Sequence, residues 1–306
     1  MVLIVSHDAG GAEVVSSWVR HHPEFKYCFC LDGPAVGIFQ RKNSNIENQP
    51  VSNLDVFIQG AEWILTGTSW ASNLEKEAIK VGTYQKRKVV SFLDHWVNYQ
   101  RRFEYNGQTC LPDEIWVGDK DALEIAQDYF SQEKLRLVPN PYFKDVKDEL
   151  KSIKFSPKQT TKIRILYVCE PIEEHSIREY GHPLHWNYTE YDAMRFFFGM
   201  LPEIIRVENM ECVRVRKHPS ESKDKYDKIL DENLGIPIQK SEGNTLIQDC
   251  VWADWIVGCN SMALVVGLLA GKRVYSCIPP GGKACSLPQK KIIRLEFIKS
   301  ARKVSG

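Results

Sequence analysis

The feature that most constrains the fold is an alternation of short apolar runs with helix-type segments, made twice along a chain of 306 residues. In the first half, runs at 2–6, 27–31, 63–66, 88–93, 114–117 and 135–138 predict strands. Segments 11–22, 34–40, 72–81 and a stretch capped by Asp119 and reaching Phe130 predict helices. Short apolar strands separated by helices bury both faces in a parallel, doubly wound sheet. The pattern then breaks. Residues 140–161 pass from Asn-Pro-Tyr through a Lys/Asp/Glu-rich stretch to Ser-Pro-Lys, the composition of a linker.

A second alternation follows. Strands are predicted at 163–169, 212–216, 255–258 and 273–276, and helices at 188–207, 223–233, 245–252 and 262–270, the last ended by Gly271. The chain therefore reads as α/β, with two Rossmann-like doubly wound parallel-sheet domains facing a cleft, a GT-B-like outline. The expected division is 1–143 for the first domain, 144–161 for the linker, 162–288 for the second domain and 289–306 for a C-terminal tail.

Composition narrows the function classes. With 43% hydrophobic and 26% charged residues the chain is ordinary globular protein. A formal net charge of +1 argues against a nucleic-acid partner. No apolar stretch reaches the ~18–20 residues that span a bilayer, and the first residues lack the pattern of a secretory signal. The nine cysteines are scattered, which suits reduced, buried thiols in a cytoplasmic protein and not a zinc site. Peripheral attachment at the inner face of a membrane is compatible with this reading, and the oligomeric state is left open.

The densest functional signal is Val213-Arg-Val-Arg-Lys-His-Pro219, where a strand delivers Lys217 and His218 to its end and Pro219 stops it, with Ser220 next. A second strand end, Cys259-Asn260-Ser261, runs into a helix at Met262. In an open α/β sheet such ends line the ligand crevice. Lys, His and a Ser-capped helix start together suit a phosphate. Glu170, ending the strand before, is placed either to accept from ribose hydroxyls or to sit as a carboxylate at a helix start.

In the first half, Ser6-His7-Asp8-Ala9-Gly10-Gly11 follows the first strand. Its glycines allow close backbone approach, and His7 and Asp8 supply a base and an orienting group. Thr68 and Ser69 follow the third strand, and suit sugar hydroxyls or a helix cap. Asp94-His95-Trp96-Val97-Asn98-Tyr99, with Arg102 beyond, places a second Asp-His pair beside aromatic rings able to stack on a sugar. Asp8 is the preferred base, with His7, Asp94 and His95 positioning the acceptor. Gly10, Gly11, Thr68, Ser69, Trp96, Tyr99 and Arg102 are the expected acceptor contacts.

Lys217-His218-Pro219 followed by Asn260-Ser261 resembles the His-Pro and Ser motifs of bacterial GT-B sialyltransferases, Kdo transferases and polyol-phosphate transferases, over roughly residues 163–276. Asn260-Ser261 stands where those families have a Ser pair. The resemblance implies a glycosyltransferase of surface polysaccharide synthesis. His218 and Ser261 would then hold the phosphate of an activated sugar (CMP-, CDP- or UDP-linked, or a phosphoribosyl diphosphate), with a glycan or lipid-linked acceptor and neither metal nor cofactor. Two other readings use the same fold: a sugar-nucleotide 2-epimerase, hydrolase or phosphoribosyl-type transferase, and a non-catalytic binding subunit.

Overall fold

The computed structural model describes residues 1–43, 46–69, 72–153, 160–232 and 235–298. Two compact units divide at Asp145/Val146. Unit 1 comprises β1 (Val2–Ser6), α1 (Ala9–His21), β2 (Tyr27–Leu31), α2 (Pro34–Lys42), α3 (Leu54–Gly60), β3 (Trp63–Thr66), α4 (Leu74–Tyr84), β4 (Lys88–Leu93), β5 (Glu104–Tyr105), β6 (Gln108–Thr109), β7 (Glu114–Val117), α5 (Lys120–Gln127) and β8 (Leu135–Leu137), and ends within α6 (Pro141–Ser152). Its six-stranded sheet has the order β2-β1-β3-β4-β7-β8, parallel throughout. Val2, Leu3, Ile4 and Val5 are all fully buried because β1 lies inside this sheet with both faces covered. Each such side chain contributes about 1.5–3 kcal/mol relative to exposure.

Unit 2 continues with β9 (Ile163–Val168), α7 (Ile172–Tyr180), α8 (Glu190–Ile204), β10 (Met210–Arg216), α9 (Asp227–Asp231), β11 (Ile238–Lys240), α10 (Leu246–Trp252), β12 (Trp255–Gly258), α11 (Met262–Leu269), β13 (Arg273–Ser276) and β14 (Ile292–Arg294). The order β11-β10-β9-β12-β13-β14 is that of the doubly wound Rossmann sheet, again wholly parallel. The strand order reverses between β1 and β3 in unit 1, and between β9 and β12 in unit 2. The C-terminal ends of those strands are where such sheets bind ligands.

Three segments differ from the sequence reading. Residues 144–152, expected as linker, belong to α6. Asn140 caps its start by accepting from the Tyr142 N–H at 3.0 Å, and Asp145 pairs with Arg20 and His21 of α1 at 2.5 and 2.7 Å. The remainder of that stretch, 154–159, lies outside the described residues. Ile292–Arg294, expected in the tail, adds β14 to the sheet edge beside β13, and 299–306 lie outside the described residues. Of the expected helix 223–233, Asp227–Asp231 is helical and residue 233 lies outside the described residues; before it, the Glu221 carboxylate accepts from Tyr226 Oη at 2.5 Å.

Asp249 of α10 is fully buried and receives Arg214 and Arg216 of β10 at 2.9 and 2.8 Å, while the Arg214 guanidinium lies 3.6 Å over the Trp252 ring. The alternating arginines of the Val-Arg-Val-Arg run thus fasten α10 to the sheet. All nine cysteines are free thiols, six of them buried. No helix among the described residues is long and apolar enough to cross a membrane.

Candidate functional site

In unit 1 the loops after β1, β3 and β4 meet at the reversal point. The Asp8 carboxylate takes His7 Nδ1 on one oxygen at 2.8 Å and Ser69 Oγ on the other at 2.6 Å. Asp8 stands at the N-cap of α1, yet its side chain makes no capping bond to that helix. Both of its oxygens are spent on orienting neighbours. His7 Nε2 has no hydrogen-bond partner among the described residues, and the imidazole is 28% exposed. Its ring crosses so close to Gly33 (φ +52°) that a Cβ there would stand 2.6 Å from Nε2. Glycine is therefore required at that left-handed turn.

Asp94 has a different setting. Its Oδ1 takes Arg102 at 2.5 Å and Thr68 Oγ1 at 2.8 Å, and Arg102 also reaches Thr68 Oγ1 at 2.8 Å. The Asp94 and Arg102 side chains are only 9% and 5% exposed. This is a buried ion pair that closes the β4 loop over the β3 loop. Gly10 is bare for the same reason, since a Cβ there would come 2.1 Å from Asp94 Oδ2, and one on Gly11 would press on the Thr68 backbone.

Several expected roles do not fit these positions. Asp94 is committed to Arg102, and His95 is held neutral, pushed down to about 4 by burial against the opposing pull of Asp94. Trp96 and Tyr99 are 5% and 1% exposed, so neither offers a face to a sugar; the indole donates to Asp119 at 3.2 Å and the phenol packs beside Phe130. Arg102, Thr68 and Ser69 are buried with the partners just named. Gly10 and Gly11 serve loop-to-loop packing. The pair that keeps access to solvent is His7–Asp8.

Sequence reasoning missed Glu75. It is fully buried on the first turn of α4, accepts from the His7 backbone N–H at 2.7 Å, and is pushed up to about 7 by burial, with the N–H bond opposing. The available signal was the helical spacing of 75, 78, 79 and 82, which puts Glu75 on the buried stripe of α4 with Ala78, Ile79 and Gly82.

In unit 2 the loop after β12 forms a nest of backbone donors. Glu170 Oε1 accepts from Cys259 and Asn260, both at 2.8 Å, and Oε2 lies 3.2 Å from the Asn260 nitrogen. Burial raises Glu170 to about 7, with the N–H groups of Asn260, Cys259 and Ser261 pulling the other way. The N–H groups expected to be free for phosphate thus hold a carboxylate of the chain itself. Glu170 thus sits as a carboxylate against the donors that precede α11. Ser261 caps α11 through Ala263 N at 3.1 Å, with Met262 the first helical residue, and the Asn260 side chain is engaged by Ser286.

Lys217 and His218 stand at the end of β10. Lys217 Nζ donates to the Glu221 carbonyl at 2.7 Å, and the buried Glu221 carboxylate accepts the His218 N–H at 2.8 Å. His218 Nδ1 faces Ser220 Oγ at 2.7 Å and its ring meets His175 edge-on, leaving Nε2 without a hydrogen-bond partner among the described residues. Burial favours the neutral imidazole. Pro219 is exposed. Glu221, the loop's anchor, was also missed from sequence. Among the described residues no cluster of three or more His, Cys, Asp or Glu is placed to hold a metal.

No family profile and no curated protein sequence matches the chain. Solved structures do. A putative UDP-N-acetylglucosamine 2-epimerase from Listeria monocytogenes aligns at a TM-score of 0.61 and 11% identity, over 99% of this chain and 87% of that one. S. aureus MnaA in complex with UDP aligns at 0.57 and 11%, over 90% and 78%. MurG from Acinetobacter baumannii aligns at 0.52 and 8%, over 99% and 90%. At these identities the likeness is one of fold, and together with the two parallel six-stranded sheets it assigns the chain a GT-B-type architecture of two Rossmann-like units.

Proposed function

We propose that the chain is a nucleotide-sugar-dependent glycosyltransferase in which His7 is the general base and Asp8 its orienting carboxylate. One observation carries the assignment: the His7–Asp8 pair leaves a single unpartnered, solvent-reachable nitrogen at the strand-order reversal of unit 1. Asp8, the base preferred from sequence, becomes the residue that fixes the imidazole's tautomer. His7 Nε2 takes the proton of an acceptor hydroxyl as its oxygen bonds to the anomeric carbon and the sugar–phosphate bond breaks. Within unit 2, Lys217 Nζ and the Nε2 of the neutral His218 imidazole are the groups we assign to the phosphate of the donor. The UDP in the MnaA structure and the epimerase neighbours support a nucleotide-sugar ligand.

The same neighbours favour one second reading, 2-epimerisation of a UDP-sugar. A thermal-shift screen against CMP, CDP, UDP, GDP and phosphoribosyl diphosphate identifies the donor class; a ligand at ~100 times its Kd adds about 2.7 kcal/mol. Product NMR with the stabilising donor, with and without glycan acceptor, then separates transfer from epimerisation. In single-turnover transfer, His7→Gln is expected to slow the reaction ~10²–10⁴-fold with donor affinity retained. A loss below tenfold places the base elsewhere. Unaltered cellular function of His7→Gln and Asp8→Asn together would establish a non-catalytic subunit.

A further inference from the structure

We propose that Glu75 is a positioning residue for His7, holding the β1–α1 turn through its main chain and exchanging a proton with solvent in step with the imidazole. This rests on the reading of His7 as the base. The geometry is specific: Oε1 accepts the His7 N–H at 2.7 Å, while Oε2 is buried with no partner among the described residues. Ser6 Oγ, one residue before His7, is likewise buried and unpartnered. A buried carboxylate with an idle oxygen is costly to keep ionised. Burial, with the nearby charge of Asp8 adding to it, raises the group to about 7.

The charged surroundings are few. Asp8 and His7 face Glu75 from the β1–α1 turn. On α4 itself its neighbour is Lys76, 4% exposed and lowered by burial against the pull of Glu75 and Asp8, with Arg101 and Glu104 beyond it. The strands Val2–Ser6 and Trp63–Thr66 bring no charge, Lys88 of the packed strand β4 pairs with Glu114, and Asp55 lies on the packed helix α3. At rest, a neutral Glu75 leaves Asp8 as the one anion beside the imidazole. When His7 Nε2 gains a proton from a hydroxyl, the imidazolium favours the ionised form of Glu75, which then releases its own proton to bulk water. Only N–H and O–H bonds change, and no other reactant is needed.

The test is an NMR titration of the full chain, following the imidazole carbon-bound protons of His7 and the ¹³C-carboxyl signal of Glu75. The carboxyl signal is expected to titrate near neutrality. Glu75→Gln keeps the oxygen that holds the His7 N–H, and is expected to lower the His7 midpoint by roughly half a pH unit or more, because the carboxylate that favoured imidazolium is gone. A Glu75 carboxyl titrating in the ordinary carboxylate range, or an unmoved His7 midpoint in the variant, overturns the proposal. The wild-type carboxyl signal decides alone if Glu75→Gln fails to fold. In steady-state transfer the variant shifts the pH profile of kcat and leaves KM in place. Coupled titrations without transfer from any donor would overturn the transferase reading and keep this coupling; transfer with independent titrations would do the reverse.

Discussion

The two sheets place a glutamate at the same kind of location, and use it differently. Glu75 in unit 1 and Glu170 in unit 2 each sit at the reversal of strand order, each accepts backbone N–H groups, and each is raised to about 7 by burial. Glu75 holds one N–H and leaves an oxygen idle beneath His7. Glu170 spreads across the Cys259 and Asn260 donors and fills the nest they make. A carboxylate below a base tunes that base, whereas one inside a donor nest competes with an anionic ligand for it.

The largest expected effect contrasts the two Asp-His pairs of unit 1. Asp94→Ala leaves the Arg102 guanidinium buried without its counter-charge, so denaturant unfolding should show a loss of about 3–5 kcal/mol. Asp8→Ala, at a quarter-exposed carboxylate, should cost under about 1 kcal/mol while slowing transfer, by no more than His7→Gln does. Equal losses of stability would erase the distinction between a structural pair and a functional one.

That distinction was not legible in the sequence, where Asp8-His7 and Asp94-His95 look alike. The partner that decides it, Arg102, lies eight positions beyond Asp94 and meets it only after the chain turns through Trp96–Tyr99. The same turn buries both rings. The strand–helix alternation was legible because burial on both faces of a parallel sheet demands unbroken apolar runs. The β5–β6 hairpin was missed although Asn106-Gly107, both at positive φ, carries its turn signal. Strand β14 was missed because Ile292–Arg294 is short and its end is charged. Glu170 and His218 were picked out at strand ends, but that a carboxylate of the chain would enter the N–H nest depends on the placement of β9 beside β12, which only the assembled sheet shows.

Next in size is the pH dependence of stability. Glu75 has a folded-state value of about 7, above the ordinary carboxyl value of 4.5. The folded state therefore holds the proton more tightly, and stability falls as pH rises from the carboxylate range to about 7. Glu75→Gln removes that slope, so its stability relative to wild type should rise by up to about 3 kcal/mol between pH 5 and pH 8, read from urea midpoints. A constant difference across that range would mean that Glu75 is ionised throughout.

A smaller effect tests the nest. Glu170→Ala frees the Cys259 and Asn260 donors and removes the carboxylate that occupies them. Pyrophosphate and UDP should bind about tenfold more tightly, a gain of ~1.4 kcal/mol by calorimetry. Weaker binding would show that Glu170 touches the ligand itself, as a ribose contact would, and that the nest is only structural.

The smallest expected effect separates the two helix starts that follow these loops. Ser261 accepts from Ala263 N and so satisfies one of the exposed donors of α11, whereas Asp8 at the start of α1 makes no such bond. Ser261→Ala should therefore cost about 1 kcal/mol of stability through the lost cap. It should leave phosphate affinity nearly unchanged, since the Ser261 hydroxyl is turned to its own helix and the ligand-facing nitrogen assigned in unit 2 is His218 Nε2. His218→Ala supplies the counterpart of larger size, weakening phosphate binding by ~1.5–3 kcal/mol with the melting temperature held. If Ser261→Ala loses affinity and keeps stability, the hydroxyl has left its cap to hold the ligand, and the anion site lies at α11, not at the end of β10.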